Sequence, residues 1–219
     1  MEKRKLILGE YNTAEHGWTL TGWTFSAPVH KTQYVEKPAG DGTWDLSTTL
    51  SDGLPRYKDR SLQAALECSE GTRAEREATI RQMINQLDGM RVQIQTPDDE
   101  THYIVGRLSV ARDYNDLAHA RVTVSAVCEP WKYANSETIL ALDVTESKNA
   151  VILYNAGRRA VVPTLTVEGS VLIEYRSSSQ SLSEGVYQWP LLLLTPGGHS
   201  LSYSGSGRLV IKYREAVLE

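Results

Sequence analysis

Five histidines, two cysteines and a few carboxylate clusters are the residues of this chain that could do chemistry. His16, His30, His102, His119 and His199 are scattered, and none has the i, i+4 spacing or the neighbouring cysteine of a metal site. No metal ligand is expected among them. Asp98, Asp99 and Glu100 could hold a hard cation, but the glycine and further acids of a calcium loop are missing, so a solvated hairpin tip is expected. Ser177, Ser178 and Ser179 lie outside any GxSxG elbow, and no phosphate loop is present, since Gly205-Ser206-Gly207 leads into a strand rather than a helix. Asp41 and Asp45 read as turn residues rather than as paired glycosidase acids. Cys68 and Cys128 stand outside CxxC spacing and are expected to pack as small buried side chains. The expectation is a protein without catalytic residues, metal or cofactor.

The elements that must carry these residues are mostly strands. At 219 residues the chain can fill one or two cores, with 41% hydrophobic and 23% charged residues, as in ordinary globular proteins. The net charge of −4 is spread evenly, with 16 basic and 19 acidic residues up to Ala134 and 7 and 8 beyond it. No basic surface for nucleic acid follows from that balance. The runs Leu6 to Leu8 and Leu191 to Leu194 are too short for a signal-peptide core or a membrane span, so neither export nor membrane insertion is expected. Eleven tyrosines and five tryptophans against one phenylalanine point to half-exposed aromatic contacts.

From Lys5 to Val127 polar and β-forming residues alternate between Gly, Pro and Asp turns. A hairpin is expected from Met90 to Gln95 and His102 to Leu108, and a further strand from Arg121 to Cys128 after a polar turn at Asp113 to Asp116. Val122, Val124, Ala126 and Cys128 should share its buried face. One helix interrupts the strands: Thr72 and Glu75 form a capping box, Ile80, Met83, Ile84 and Leu87 recur at helical spacing, and Gly89 follows the end. Arg73, Glu77 and Arg81, four apart, should pair along its outer face. A break near Pro130 to Glu137 divides the chain into residues 1–134 and 135–219. Six strands are expected in the second part: Ile139 to Val144, Ala150 to Tyr154, Thr164 to Tyr175, Gly185 to Leu194, Ser200 to Tyr203 and Arg208 to Arg214. They make an antiparallel sandwich with a turn at Thr195 to Gly198.

Pro28, Lys31, Pro38, Gly40, Asp41, Gly42, Asp45, Leu46, Tyr57 and Arg60 together resemble the N-terminal domain of the distal tail proteins of long-tailed phages. Lys37-Pro38-Ala39-Gly40 departs from the family's apolar-Pro-Gly turn. Asn155-Ala156-Gly157, Pro163, Ile173, Gly185, the Pro-Gly-Gly turn, Gly205, Gly207 and the closing IKYRE resemble the family's galectin-like C-terminal domain. The resemblance implies a mainly β chain, with a ring-forming domain bearing one helix at residues 1–134 and a galectin-like sandwich at 135–219. It further implies a structural, non-enzymatic virion protein of a phage or prophage, assembled in the bacterial host cytoplasm as a homo-hexamer. The ring would sit between the tail tube protein and the baseplate hub or tail-associated fibre protein, with a receptor-binding protein nearby, and DNA would pass through its lumen unbound.

Interfaces favour aromatic residues and arginine, which makes Trp44, Tyr57 and Arg60 of the ribbon from Gly40 to Arg60 the first candidates for the subunit contact. The helix face of Arg73, Glu77 and Arg81 is the second candidate. A rival reading makes the C-terminal sandwich a module for host-surface carbohydrate, with Tyr175, Tyr187, Trp189 and Tyr203 as sugar contacts. A third makes the chain a tube-forming tail or secretion-system protein.

Overall fold

The computed structural model describes residues 5–51, 53–113 and 120–219. Asp52, His119 and the core of the turn expected at Asp113 to Asp116 therefore lie outside the described residues. The chain divides into two compact units, Met1–Pro130 and Trp131–Glu219.

The first unit is one antiparallel sheet with a helix on its apolar face. Its strands are β1 (Ile7–Leu8), β2 (Tyr11–Asn12), β3 (Thr19–Phe25), the small pair β4 (Tyr34–Glu36) and β5 (Thr43–Asp45), and then β6 (Arg60–Cys68). Helix α1 (Arg73–Leu87) precedes β7 (Arg91–Gln95), β8 (His102–Asp113) and β9 (Ala120–Ala134). The sheet order is β2-β1-β7-β8-β9-β6-β3, and β4 pairs only with β5.

Strict alternation fixes which face is buried. Leu62, Ala64, Leu66 and Cys68 of β6 lie beside Val122, Val124, Ala126 and Cys128 of β9, and all are buried. Trp18 closes this core, its indole N–H donating to the Tyr11 hydroxyl at 3.0 Å, so the one polar atom of a wholly buried ring is satisfied. Gly106 of β8 has no side chain because the Cys128 sulfur takes its place: a Cβ there would lie 2.7 Å from Sγ and 3.1 Å from Ile94 Cδ1. Both cysteines are free and buried. They sit at opposite ends of the β6–β9 ladder, where Arg60 pairs with Cys128 and Cys68 with Ala120. Eight residues at about 3.3 Å each put them far beyond bridging distance.

Helix α1 begins and ends as its caps dictate. The Thr72 N–H donates to Glu75 Oε2 at 2.6 Å, and the Glu75 N–H donates back to Thr72 Oγ1 at 3.3 Å. Ile80, Met83 and Leu87 face the sheet, each contributing on the order of 1.5–3 kcal/mol by leaving water. Gly89, at φ 75°, reverses the chain into β7.

The second unit contains β10 (Thr138–Val144), β11 (Asn149–Asn155), β12 (Thr164–Tyr175), β13 (Ser178–Leu182), β14 (Gly185–Gln188), β15 (Gly197–Tyr213) and β16 (Ala216–Val217). β12 and β15 pair along twelve residues; β10 and β11 flank β15, and β13 and β14 flank β12. Several expected strand boundaries are corrected here. β9 runs on to Ala134 and pairs there with β16, so strand continues through the proline-marked stretch in which the two units divide. The strands expected at Ser200 to Tyr203 and Arg208 to Arg214 are one, because Gly205 and Gly207 carry the ladder through a close approach to β12 instead of ending it. Ser178 and Ser179 belong to strand β13. Conversely, the strand expected to reach Leu194 stops at Gln188, because Leu192 and Leu194 fold inward to the core. Asn155 explains its own motif: its amide donates to the carbonyls of Arg159 and Leu194, both at 2.9 Å, and accepts from the Gly157 N–H at 3.0 Å.

Candidate subunit interface

Between Ala27 and Leu50 the chain leaves the sheet and forms an arm whose side chains are almost all exposed. The base is a ladder continued from β3 and β6. Ser26 and Ser61 exchange hydrogen bonds, the Lys58 N–H donates to the Val29 carbonyl, and Lys31 donates to the Arg56 carbonyl, each at 2.8 to 2.9 Å. Farther out, Leu46 donates to Gln33 and the β4–β5 hairpin closes the arm. Gly42, at φ 79°, supplies the left-handed residue its turn needs, and Ala39 takes φ 56° in the same connection.

The arm contradicts the usual economy of a β-hairpin. A two-stranded hairpin is marginal alone, and one buried face normally anchors it. Here both faces of β4 and β5 are open, and the open side chains include Val29, Tyr34, Val35, Trp44, Leu46 and Leu50. Trp44 is 50% exposed and pairs across the hairpin with exposed Val35.

The three ribbon candidates separate in this structure. Trp44 stands out on the arm. Tyr57 and Arg60 are buried within the chain, at 6% and 3% exposure, so neither presents its side chain to a neighbour. The Arg60 guanidinium lies 3.7 Å from the centre of the Phe25 ring, and its Nε donates to the Ser26 carbonyl at 2.6 Å. Tyr57 packs on His30, ring centres 4.6 Å apart, where their backbones form an isolated bridge. Both residues brace the root of the arm. Among the helix candidates, Arg73 and Arg81 are exposed, but Glu77 is not free to pair along the helix. Its carboxylate takes two hydrogen bonds from Arg112 of β8, each at 2.5 Å, which hold its pKa below the usual range. Sequence reading missed Arg112, and it also missed the apolar arm residues beyond Trp44. Their signal is apolar side chains on both faces of a strand pair with no partner sequence to cover them.

The sandwich aromatics are corrected in the same way. Tyr175, Trp189 and Tyr203 are buried in the second core and offer no open ring face, while Tyr187 packs half-buried against it. The Tyr175 hydroxyl meets His199 Nδ1 at 2.7 Å, and His199 Nε2 donates to the Thr195 carbonyl at 2.7 Å. Asp99 closes its hairpin turn rather than a cation site. Burial opposes its ionisation, but the hydroxyl and amide of Thr101 and the ring of His102 outweigh that and hold its pKa at about 2. Among the described residues no cluster of three His, Cys, Asp or Glu side chains is placed to hold a metal.

No family model and no curated protein matches the sequence. Among solved structures, the chain is similar to the Dit protein of phage SPP1, described as a paradigm of the hub adsorption apparatus in phages that infect Gram-positive bacteria. The superposition has a TM-score of 0.69 at 14% sequence identity and covers 97% of this chain and 99% of that one. This is the fold of a phage distal tail protein. The similarity spans nearly the whole length of both chains.

Proposed function

We propose that the chain is a structural, non-enzymatic component of a phage tail hub, with residues 1–134 closing a homo-hexameric ring and residues 135–219 forming an outward sandwich. The observation that carries this reading is the arm: a folded hairpin with apolar side chains on both faces, rooted by buried Arg60 and Tyr57. Its exposed apolar surface is the kind that a partner covers. The end-to-end similarity to a hub adsorption protein supports the choice of partner, a second copy of the chain.

Ring closure requires two different patches on each subunit, meeting at one fixed rotation. The arm leaves the sheet at the β3 edge, and the opposite edge is β2. The two patches are therefore available at opposite ends of one sheet. In a virion tail tip the ring joins the tail tube to the baseplate hub or a tail-associated fibre protein, with a receptor-binding protein beyond, and DNA passes through its lumen. The net charge of −4 suits that passage, since a wall that attracted phosphates would slow it.

Native mass spectrometry of the purified chain tests the reading. A six-fold mass supports the hub ring. A monomer at all concentrations, or an open polymer of stacked rings, removes it.

A further inference from the structure

We propose that the Trp44 face of the arm seats in a groove between the β1–β2 turn and the end of α1 on a neighbouring copy of the chain. The proposal rests on the hub-ring reading and names the second patch that ring closure needs.

Strand register gives the arm two unlike faces. Val35 stands opposite Trp44, and the Leu46 N–H donates to the Gln33 carbonyl one step along the ladder. Directly opposed residues and those two apart share a face, so Val35, Trp44 and Leu46 form one apolar patch, with Lys37 on the same side towards the tip. The other face sets Tyr34 against Asp45 and Glu36 against Thr43, an aromatic ring among two carboxylates. A partner that covers the Trp44 face must therefore offer apolar floor and a carboxylate.

The groove has both. A depression of about 700 Å³ is lined by Leu8 of β1, by Leu87 at the end of α1, and by Met90 and Val92 around the start of β7. Leu8 and Leu87 are buried beneath it, whereas Met90 is 51% exposed, with its thioether open to an aromatic ring. Tyr11 lines it too, with its ring stacked on His16 at 4.0 Å between centres. Glu10 is the one carboxylate of the lining, and the one arginine, Arg91, is already paired with Glu129. Neither Glu10 nor Lys37 has an ion-pair partner among the described residues, so the two charges complement one another across the contact. An acidic peptide or a phosphate chain would meet Glu10 unfavourably. No residue of the arm lines the groove of its own chain. The arm leaves the sheet at the β3 edge and the groove opens at the β2 edge, so each copy presents one arm and one groove on opposite sides, the pattern of a head-to-tail contact.

Cross-linking tests the pairing directly. Lys37→Cys and Glu10→Cys each place one reactive thiol at an exposed site, because Cys68 and Cys128 are buried. The two variants are mixed as monomers, concentrated to assemble, and treated with a short bis-maleimide. The mixture should give a covalent dimer and nothing larger, either variant alone only monomer, and the chain carrying both changes a ladder up to the full ring. Met90→Lys puts a charge into the groove from an exposed position, so it should raise the ring-to-monomer midpoint ten-fold or more at an unchanged melting temperature. Assembled rings whose mixed variants fail to cross-link, or a Met90→Lys midpoint within three-fold of wild type, would overturn the groove assignment and leave the hub ring standing. A single variant that cross-links to itself as readily as the mixture would show a two-fold contact and overturn it as well. A wild-type chain that stays monomeric at every concentration would remove the hub ring and the docking together.

Discussion

Replacing Trp44 by alanine is the most direct probe of the arm, because the structure lets the assembly effect be separated from a folding effect. A tryptophan side chain fully buried removes up to about 250 Å² from water, and Trp44 keeps half of its surface exposed in the isolated chain, so roughly 125 Å² remains for a neighbour to cover. At about 25 cal/mol per Å² that is worth about 3 kcal/mol at each contact, or about a hundred-fold in the association constant. The fold itself should scarcely notice. No residue of β4 or β5 is buried, and surface changes of this kind usually stay within about 0.5 kcal/mol, a few degrees in melting temperature at most. Dilution series by mass photometry, paired with thermal melts, would read both quantities. The expected result is a ring-to-monomer midpoint moved up by one to two decades in concentration at an unchanged melting temperature. A midpoint within three-fold of wild type at equal stability would refute the assignment of the arm as the subunit contact. Arg60→Ala, chosen on residue type alone, would be a poor substitute. It empties a buried site with a cation–π partner and a carbonyl acceptor, so lost assembly could follow from lost folding.

Three further outcomes test the physical account. Gly207→Ala and Gly197→Ala both place alanine at positive φ, 119° and 108°, but only at Gly207 would the new Cβ run into a backbone carbonyl, that of Glu168. Urea unfolding should show a loss of about 1–3 kcal/mol at Gly197 from strain alone and a clearly larger one at Gly207; equal losses would contradict the close approach of β15 to β12. The folded pKa of Asp99 is depressed from 3.8 to about 2, so its contribution is full above about pH 4 and is lost as pH falls towards 2. With allowance for solvent screening, Asp99→Ala should cost about 1 kcal/mol at pH 7 and almost nothing at pH 2, and a pH-independent cost would exclude this origin. Burial pushes the Cys128 thiol up to about 11, despite the opposing charge of nearby Arg60, so thiol reagents at pH 8 should leave it unmodified until denaturant is added.

Much of the fold was legible in the sequence because local chemistry wrote it there. The Thr72–Glu75 box marks the start of α1, and alternation in 122–128 assigns the buried face of β9, since side chains of a strand must point to opposite sides. The turn glycines and the apolar spacing of Ile80, Met83 and Leu87 work in the same way, through interactions of neighbours in the chain. Whether Gly205 and Gly207 end a strand or carry it past another is not a local matter. It depends on how close β12 comes, and the Cβ-free backbone there serves a partner about 40 residues away. The site residues divide along the same line. Residue type proposed Trp44, Tyr57, Arg60 and the sandwich aromatics alike, because tyrosine, tryptophan and arginine suit both interfaces and cores. Only the packing of Arg60 on Phe25, of Tyr57 on His30 and of Tyr175 on His199 turned most of them inward, leaving Trp44 on the arm in the open. Type and spacing are properties of a sequence, whereas exposure is settled by what the rest of the chain brings alongside.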